Sequence, residues 1–301
     1  MKYRVVKNMG SSVWVQSEDG SQREVHVKGK FRIQGIRTTS PVAVGDWVTV
    51  EGDLIAGIEP RDNYIIRRSS NLSKHAHILA ANVDLALLVV TLTQPETALE
   101  FIDRFLMTAE AYHVPTVLLV NKVDLLGDAQ RAQCDAFCRL YGGIGYRTME
   151  LSVLQGRGVD EVRSLLAGKV CLLAGNSGVG KSSLLNALDP QLSAKVGRIS
   201  EAHLTGMHTT TFSEMYPVAG GYVIDTPGVK GFGIVDMEPA EIAQCFPEMR
   251  RLSVQCRFQN CSHTHEPGCR VLDALEQGEI AASRYDSYCS ILEDVSAGKY
   301  R

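Results

Sequence analysis

The hydrophobic positions of this chain follow two different rhythms. Over residues 1–70, apolar and polar residues alternate in short runs, such as V-W-V at 13–15 and V-T-V at 48–50. Glycine, aspartate and proline separate these runs, which is typical of tight turns between strands. The pattern predicts a small β-barrel of about five strands, followed by a polar linker over residues 61–78.

From about residue 80, the pattern changes to an alternation of strands and helices. The run L-A-L-L-V-V at 85–90 is too short to span a bilayer and indicates a buried parallel strand. We predict strands at 83–92, 116–120, 169–174 and 222–224, with helices at 99–112, 129–141, 159–166 and 181–188. This order predicts a doubly wound α/β domain. The chain after 236 looks helical, so the predicted domains are 1–70, 71–235 and 236–301.

Composition and charge narrow the class of protein. A chain of 301 residues exceeds one compact core, which agrees with two or three domains. The net charge of −3 is unevenly distributed along the chain. Residues 1–70 carry 11 Lys and Arg against 8 Asp and Glu, whereas residues 236–301 carry 7 against 11. The basic N-terminal end could meet a phosphate backbone or be scattered solvated charge. With no signal-peptide pattern, we expect a cytoplasmic protein that is not membrane-bound, and its eight cysteines do not indicate a disulfide scaffold.

A phosphate-binding loop is predicted between a strand and a helix. The sequence G-N-S-G-V-G-K-S at 175–182 matches G-x-x-x-x-G-K-S. Glycines let backbone N–H groups close around a phosphate, and a lysine supplies a point charge. The predicted nucleotide-binding residues here are Gly175, Asn176, Ser177, Gly178, Val179, Gly180, Lys181, Ser182 and Ser183. Ser182 would also ligate Mg²⁺.

A guanine-binding motif, N-K-V-D, stands at 121–124. The Asp124 carboxylate can accept hydrogen bonds from N1–H and N2–H₂ of guanine, which adenine does not offer, so the motif predicts GTP rather than ATP. Asn121 would brace the loop, and the stem of Lys122 would cover the base. Ser152 is a weak match to the S-A-K motif at the guanine edge, or else an ordinary turn serine.

Two switch segments are predicted around the γ-phosphate. Asp225 and Gly228 belong to D-T-P-G, where the carboxylate would hold Mg²⁺ through water and the glycine N–H would bond the phosphate. Thr210 of a threonine triplet is the predicted Mg²⁺ ligand of the first switch, although such a triplet is also typical of a strand. Val229 cannot orient water as a glutamine would, so we predict slow intrinsic hydrolysis. His208 is the candidate to orient the water, against a surface or core histidine.

Three cysteines and one histidine have the spacing of a zinc site. The set C-x₄-C-x-H-x₅-C comprises Cys256, Cys261, His263 and Cys269, which suits a closed, structural, tetrahedral Zn²⁺. His265 is a competing ligand with less suitable spacing. The alternative is a group of clustered free cysteines. Cys134 and Cys138, outside this set, are predicted to be buried as small hydrophobic residues.

The order of these motifs is the most specific feature of the chain. N-K-x-D precedes the phosphate loop and D-x-x-G, whereas an ordinary GTPase has N-K-x-D last. Together with the barrel and the Cys/His set, this order resembles the circularly permuted, small-subunit-dependent GTPases of the RsgA family. The phrases G-D-W-V at 45–48 and H-T-T-T at 208–211 also resemble that family.

The resemblance implies a fold and a function. It implies an OB-fold barrel that contacts ribosomal RNA, a circularly permuted GTPase domain and a helical zinc-binding domain. It also implies GTP-dependent binding to the small ribosomal subunit late in maturation, with hydrolysis stimulated by that subunit and release afterwards. The family's hydrophobic substitute for glutamine falls on Val229, and its first-switch histidine falls on His208.

Two other functions remain open at this stage. One is an RNA-binding module with a regulatory, slowly hydrolysing nucleotide site, which the intact Lys181, Ser182, Asp124 and Asp225 disfavour. The other is a GTPase acting on a protein partner or a membrane, which the barrel and the lack of lipidation signals disfavour. Nothing in the sequence demands more than a monomer.

Overall fold

The alternating N-terminal residues form a closed, OB-like barrel. The computed structural model describes residues 2–9, 12–27, 41–68, 76–192, 213–225 and 237–297. The barrel strands within these ranges are β1 (Lys2–Asn8), β2 (Val13–Gln16), β3 (Gln22–Val27), β4 (Trp47–Glu51) and β5 (Leu54–Ile58). They pair in the order β1-β2-β3-β5-β4, and β4 pairs back with β1. The predicted barrel is therefore confirmed. Its apolar interior contains Val5, Val13, Val15, Val25, Val42, Val48 and Ile55.

The predicted polar linker over residues 61–78 is wrong in part, because residues 64–68 and 76–78 belong to a β-hairpin. Strands β6 (Tyr64–Arg68) and β7 (Ala76–Ala81) pair antiparallel. Ile65, Ile66 and Ile78 of the hairpin are buried. Three buried isoleucines among polar neighbours show too little alternation to indicate a strand. The pairing also joins residues that are well separated along the chain, such as Tyr64 with Ala81.

The second rhythm produces a mixed sheet. Its strands are β8 (Leu85–Val90), β9 (Thr116–Val120), β10 (Arg147–Glu150), β11 (Val170–Ala174), β12 (Glu214–Val218) and β13 (Gly221–Asp225). The order is β10-β9-β8-β11-β13-β12, parallel except for β12. Because parallel strands share one carboxyl edge, the carboxyl ends of β9, β11 and β13 lie on the same side. In the sequence, the three nucleotide motifs stand at these strand ends.

Helices cover both faces of this sheet. They are α1 (Leu99–Ala111), α2 (Asp128–Ile144), α3 (Val159–Leu166) and α4 (Lys181–Leu188). Leu88 of β8 packs in one apolar cluster with Phe105 of α1, whereas its neighbour Leu87 packs in another with Leu184 of α4. Successive strand residues point to opposite faces, so the continuous apolar run in the sequence reflects burial on both sides.

The barrel is joined directly to the edge of the core sheet. Strand β1 pairs antiparallel with β12, with Lys7 opposite Glu214, and their charged groups lie 3.0 Å apart. Nearby, the N–H of Ala81 donates to the carbonyl of Val44 at 2.9 Å. A Cβ on Gly45 would lie 2.0 Å from the carbonyl oxygen of Ala81, so this close approach requires glycine.

The C-terminal residues form a helical module. It contains α5 (Pro239–Ile242), α6 (Pro247–Ser253), α7 (Arg270–Glu276) and α8 (Ala282–Ser296). Short 3₁₀ helices occur at Val123–Leu125, Pro190–Leu192 and Ala243–Cys245. Met107 of α1 belongs to the module's own apolar cluster, which shows that the module packs against the α/β core. None of the helices in the described ranges combines the length and apolar character needed to cross a bilayer.

A buried arginine also fastens the module to the core. Arg284 of α8 is 1% exposed. It donates from Nη1 to Asp103 of α1 at 2.7 Å and from Nε to Glu248 of α6 at 2.7 Å. Tyr141 of α2 donates to the same Asp103 oxygen at 2.8 Å. Burial alone would lower the pKa of Arg284, but the two carboxylates reverse this effect and raise it.

Candidate GTP-binding and metal-binding sites

The phosphate-loop sequence lies between a central strand and a helix. Strand β11 ends at Ala174 and α4 begins at Lys181, so residues 175–180 form the connecting loop. Gly175, Gly178 and Gly180 have φ angles of +140°, +83° and +102°. These are backbone conformations that residues with a Cβ rarely adopt. The loop opens toward the N-terminus of α4, where unpaired N–H groups favour an anion.

The ammonium group of Lys181 reaches back across this loop and bonds to the loop's backbone. Its Nζ donates to the carbonyl oxygens of Gly175 at 2.6 Å and Asn176 at 2.8 Å. Burial lowers the pKa of Lys181, while the nearby Asp225 carboxylate opposes that shift. A bound phosphate would favour the ammonium form further, since an adjacent negative charge stabilises a cation.

The base-binding motif and the phosphate loop share a hydrogen-bonded residue. Asn121 is 4% exposed, and its Nδ2 donates to the carbonyl of Val179 at 2.9 Å. Its Oδ1 accepts from the N–H of Val153 at 3.3 Å. A Cβ on Gly180 would lie 2.4 Å from Asn121 Nδ2, so the loop glycine also makes room for this link.

A cavity lies beside these residues. Its volume is about 500 Å³, which suits a small organic ligand. It is lined by Asn121, Lys122, Asp124, Leu125, Val153, Leu154, Gly180, Ser183, Asn186 and Ala187. Lys122 has a left-handed backbone conformation, and its ammonium bonds to the carbonyl of Gln94. The cavity thus brings the predicted base residues together with the start of α4.

Ser152 is directed into its own turn. It is fully buried, its Oγ accepts from the N–H of Gln155 at 3.2 Å, and its backbone pairs with Arg157. The cavity is lined instead by the following residues, Val153 and Leu154. Sequence reasoning did not select these two, although a motif match at 152 also draws attention to the positions after it. A guanine contact by Ser152 itself stays a prediction.

The switch residues are only partly described. Asp225 ends β13, opposite Glu214 of β12, and Ser182 lies exposed in the first turn of α4. Their oxygens are of the type that Mg²⁺ prefers, and both residues lie close to Lys181, so the donor set fits this ion. The other predicted switch positions, which are His208, Thr210, Gly228 and Val229, lie outside the described residues.

The four predicted zinc ligands come together in the C-terminal module. The ligand atoms of Cys256, Cys261, His263 and Cys269 all lie within 4.8 Å of one another. Nδ1 of His263 is 3.3 Å from Cys269 Sγ and 3.7 Å from Cys256 Sγ. Soft thiolates and an imidazole in a set of four suit Zn²⁺ with a closed coordination shell. His265 is not in the cluster and lies exposed, with Thr264 as its hydrogen-bond partner.

Two tyrosines and a glutamate hold the ligand loop. The hydroxyls of Tyr285 and Tyr288 on α8 donate to the carbonyls of His263 at 2.7 Å and Ser262 at 2.6 Å. Glu266 accepts from the N–H of Ser262 at 2.7 Å. Such contacts orient metal ligands from outside the coordination shell. Sequence reasoning missed the two tyrosines because they lie on a helix more than 20 residues away from the loop.

A second group of thiols shows different chemistry. Cys134, Cys138 and Glu150 lie close enough together to share an ion. However, Glu150 pairs with Arg131 and Arg157 at 2.8 Å each. Its carboxylate is therefore already engaged by two arginines, so the structure gives no reason to revise the predicted role of these cysteines as packing residues.

Fold and site together define a class. The core is a P-loop GTPase domain in which the guanine motif precedes the phosphate loop, flanked by an OB-like barrel and a Cys/His-containing module. A sequence profile of the RsgA GTPase family matches residues 58–235. The chain therefore belongs to the RsgA GTPase family and is a GTP hydrolase.

Individual relatives extend the match to the full length. The chain is 54% identical to "Small ribosomal subunit biogenesis GTPase RsgA" of Phocaeicola vulgatus, covering 100% of this chain and 99% of that protein. The protein of the same name from Porphyromonas gingivalis is 52% identical, with 99% and 98% covered. The crystal structure of YjeQ from Thermotoga maritima superposes with a TM-score of 0.76 at 34% identity, covering 97% of each chain. YloQ, described as a circularly permuted GTPase, gives a TM-score of 0.72 at 27% identity, covering 100% of this chain and 96% of that one.

Proposed function

We propose that this GTPase binds the small ribosomal subunit in its GTP state during late maturation and leaves after hydrolysis, which the subunit stimulates. The observation that carries the proposal is the 54% identity, over the whole chain, to a relative named for small-subunit biogenesis. The OB-like barrel supports ribosomal RNA as the surface contacted, because such barrels commonly bind nucleic acid. We further propose that the protein acts in the cytoplasm and as a monomer.

The proposed phosphate chemistry divides among loop and switch residues. Lys181 holds the β- and γ-phosphate oxygens, and the backbone N–H groups of residues 175–183 surround them. Ser182 and Thr210 would ligate Mg²⁺, with Asp225 acting through water. When bound, the ion neutralises charge that develops on the phosphate oxygens. Gly228 would bond the γ-phosphate through its N–H, so losing that phosphate releases its loop.

Guanine recognition is proposed for the loop after β9 and the turn after β10. Asp124 accepts from the two guanine donors, and Lys122 covers the ring with its stem. The link from Asn121 to Val179 supports a fixed spacing between the base and phosphate subsites. The cavity that Val153 shares with Asp124 supports a contribution of the turn's backbone to the guanine edge, alongside Ser152.

Two further assignments complete the proposal. His208 orients the attacking water, because Val229 offers no polar group for that task. The Cys256, Cys261, His263 and Cys269 cluster holds a structural Zn²⁺ that stabilises the fold of domain 236–301, next to the GTPase domain at 71–235 and the RNA-binding domain at 1–70. The close approach of the four ligand atoms supports this metal assignment.

The decisive experiment measures GTP turnover with and without ribosomal subunits. The purified protein is assayed alone, with small subunits and with large subunits, and Lys181→Ala serves as the inactive control. We expect slow turnover alone and strong acceleration by small subunits only. Turnover that neither subunit changes would refute the proposed cycle. In that case, RNA binding without stimulation would favour an RNA-binding module with a regulatory nucleotide site.

A further inference from the structure

A short loop between the first two cysteines of the Cys/His ligand cluster exposes an aromatic ring beside an arginine. The tip loop, residues 257–260, has the sequence R-F-Q-N and runs from Cys256 to Cys261. Phe258 is 40% exposed. The guanidinium of Arg257 lies 5.5 Å from the centroid of that ring. The loop therefore offers a π-face and a planar cation on one small surface.

The tip loop is held in place at both ends. Cys256 and Cys261 belong to the ligand cluster. The N–H of Arg257 donates to the carbonyl of Gly268 at 3.1 Å, which ties the loop to the opposite side of the cluster. Gly268 has a φ of +72°, and its Cβ position lies 3.3 Å from Arg257 Cβ. A surface ordered in advance loses little conformational entropy when it binds a ligand.

The charge around the tip loop differs from that of the rest of the module. Residues 249–265 contain three arginines, two histidines and no acidic residue, although residues 236–301 carry 7 Lys and Arg against 11 Asp and Glu. The next residue, Glu266, accepts hydrogen bonds from the backbone of the ligand loop. Arg250 pairs with Glu110, and Arg251 donates to the carbonyl of Ile144. Within the described ranges, Arg257 makes no ion pair. Its charge therefore remains available to an anionic partner.

We infer that the tip loop is an RNA contact, in which an unpaired base stacks on Phe258 and Arg257 meets the adjoining phosphate or extends the stack. Unpaired bases stack on aromatic rings and guanidinium planes, and exposed amides such as those of Gln259 and Asn260 suit base edges. An apolar protein surface suits the loop less well, because it would bury Arg257 without a carboxylate. The inference rests on the proposed function in one respect, which is that the proposed function identifies the bound RNA as ribosomal RNA.

The test uses the full-length, zinc-loaded protein and a short unstructured RNA carrying 2-aminopurine, whose fluorescence reports stacking. We expect Phe258→Ala to weaken RNA binding about 5- to 100-fold. Phe258→Tyr should keep the affinity, whereas Phe258→Leu, which is apolar without a π-face, should lose it. Leu99→Ala is the matched control, because Leu99 is 38% exposed on the GTPase core. Zinc content measured for each variant shows whether the module remains folded. If Phe258→Ala fails to fold, the comparison of tyrosine with leucine still decides.

The salt dependence of RNA binding tests whether Arg257 contacts a phosphate or only packs within the loop. Arg257→Ala should lower the slope of log affinity against log salt by about 0.7 if it meets a phosphate of a single strand. RNA affinity that is unchanged in both Phe258→Ala and Phe258→Leu would overturn the inference. Loss of binding to small subunits without loss of RNA binding would also overturn it and would indicate a protein partner. RNA binding that depends on Phe258, in a protein whose GTPase ignores small subunits, would support the inference while refuting the proposed cycle.

Discussion

Replacing Arg284 with methionine is expected to destabilise the docking of the C-terminal module by about 3–5 kcal/mol. Arg284 and Asp103 are 1% and 0% exposed, and Glu248 is 6% exposed. The guanidinium lies 2.7 Å from an oxygen of each carboxylate. Methionine keeps the apolar stem but leaves two carboxylates buried without their cation. The cost comes from those unpaired charges more than from the lost attraction.

Two further variants test this reasoning. Arg163→Met removes a surface pair with Asp160, whose side chains are 42% and 89% exposed, and should cost no more than about 1 kcal/mol. The triple variant Arg284→Met, Asp103→Leu, Glu248→Met removes all three charges. It should recover most of the stability, because apolar replacement of a complete buried ionic group is often neutral.

The assay can distinguish the module from the barrel. The two tryptophans, Trp14 and Trp47, both lie in barrel strands, so tryptophan fluorescence follows the barrel, whereas far-ultraviolet circular dichroism follows the helices. The helical signal combines the module's helices with α1–α4 of the core. In urea, Arg284→Met should therefore move the module's share of the helical transition to lower concentration and leave the fluorescence transition nearly in place. A loss below about 1 kcal/mol, equal to the Arg163 control, would refute the buried-charge argument.

Three other predictions concern the junction, the base site and the metal. Gly45→Ala should destabilise the barrel junction by about 2–5 kcal/mol in tryptophan-monitored unfolding, because its Cβ would lie 2.0 Å from a carbonyl oxygen of β7. The control Gly20→Ala has a similar φ of +86° but no atom nearer than 3.9 Å, and should cost about 1–2 kcal/mol. Asp124→Asn should weaken GTP at least about 100-fold in competition titrations and favour xanthosine triphosphate, which presents an acceptor in place of the N2 donor. Cys261→Ser should lower bound zinc and the helical signal together, unlike Cys289→Ser outside the cluster.

The parts of the site that the sequence predicted depend on local context. Strands β9 and β11 are buried on both faces and therefore read as continuous apolar runs. The motifs follow directly where these strands end, and α4 begins at Lys181 as predicted. Because parallel strands share one edge, motif position along the chain was enough to bring Asn121 and Gly180 into contact.

Contacts between distant segments were not predictable in the same way. Arg284 and Asp103 are separated by 181 positions, and an arginine beside a tyrosine and an aspartate in a helix looks like an exposed residue. The hydroxyls of Tyr285 and Tyr288 donate to carbonyls of the ligand loop. A sequence pattern does not indicate which carbonyl a tyrosine reaches. Ser152 matched a motif by its position, yet its side chain stabilises a turn.

The two flanking units hold different sides of the GTPase core, and this difference predicts which one responds to the nucleotide. The module holds α1 through Arg284 and α2 through Arg251, on the side of the guanine motif. The barrel pairs through Lys7 with Glu214, which lies opposite Asp225 on the neighbouring strand. Arg4 of the barrel also lies 5.9 Å from the ring of Tyr222 on β13. In the proposed mechanism, loss of the γ-phosphate acts first at the end of β13, so hydrogen exchange of β1 and β12 should differ between GDP and a non-hydrolysable GTP analogue. Exchange in α8 should stay constant. A change confined to α8 would contradict the prediction that the barrel, and not the module, responds to the nucleotide.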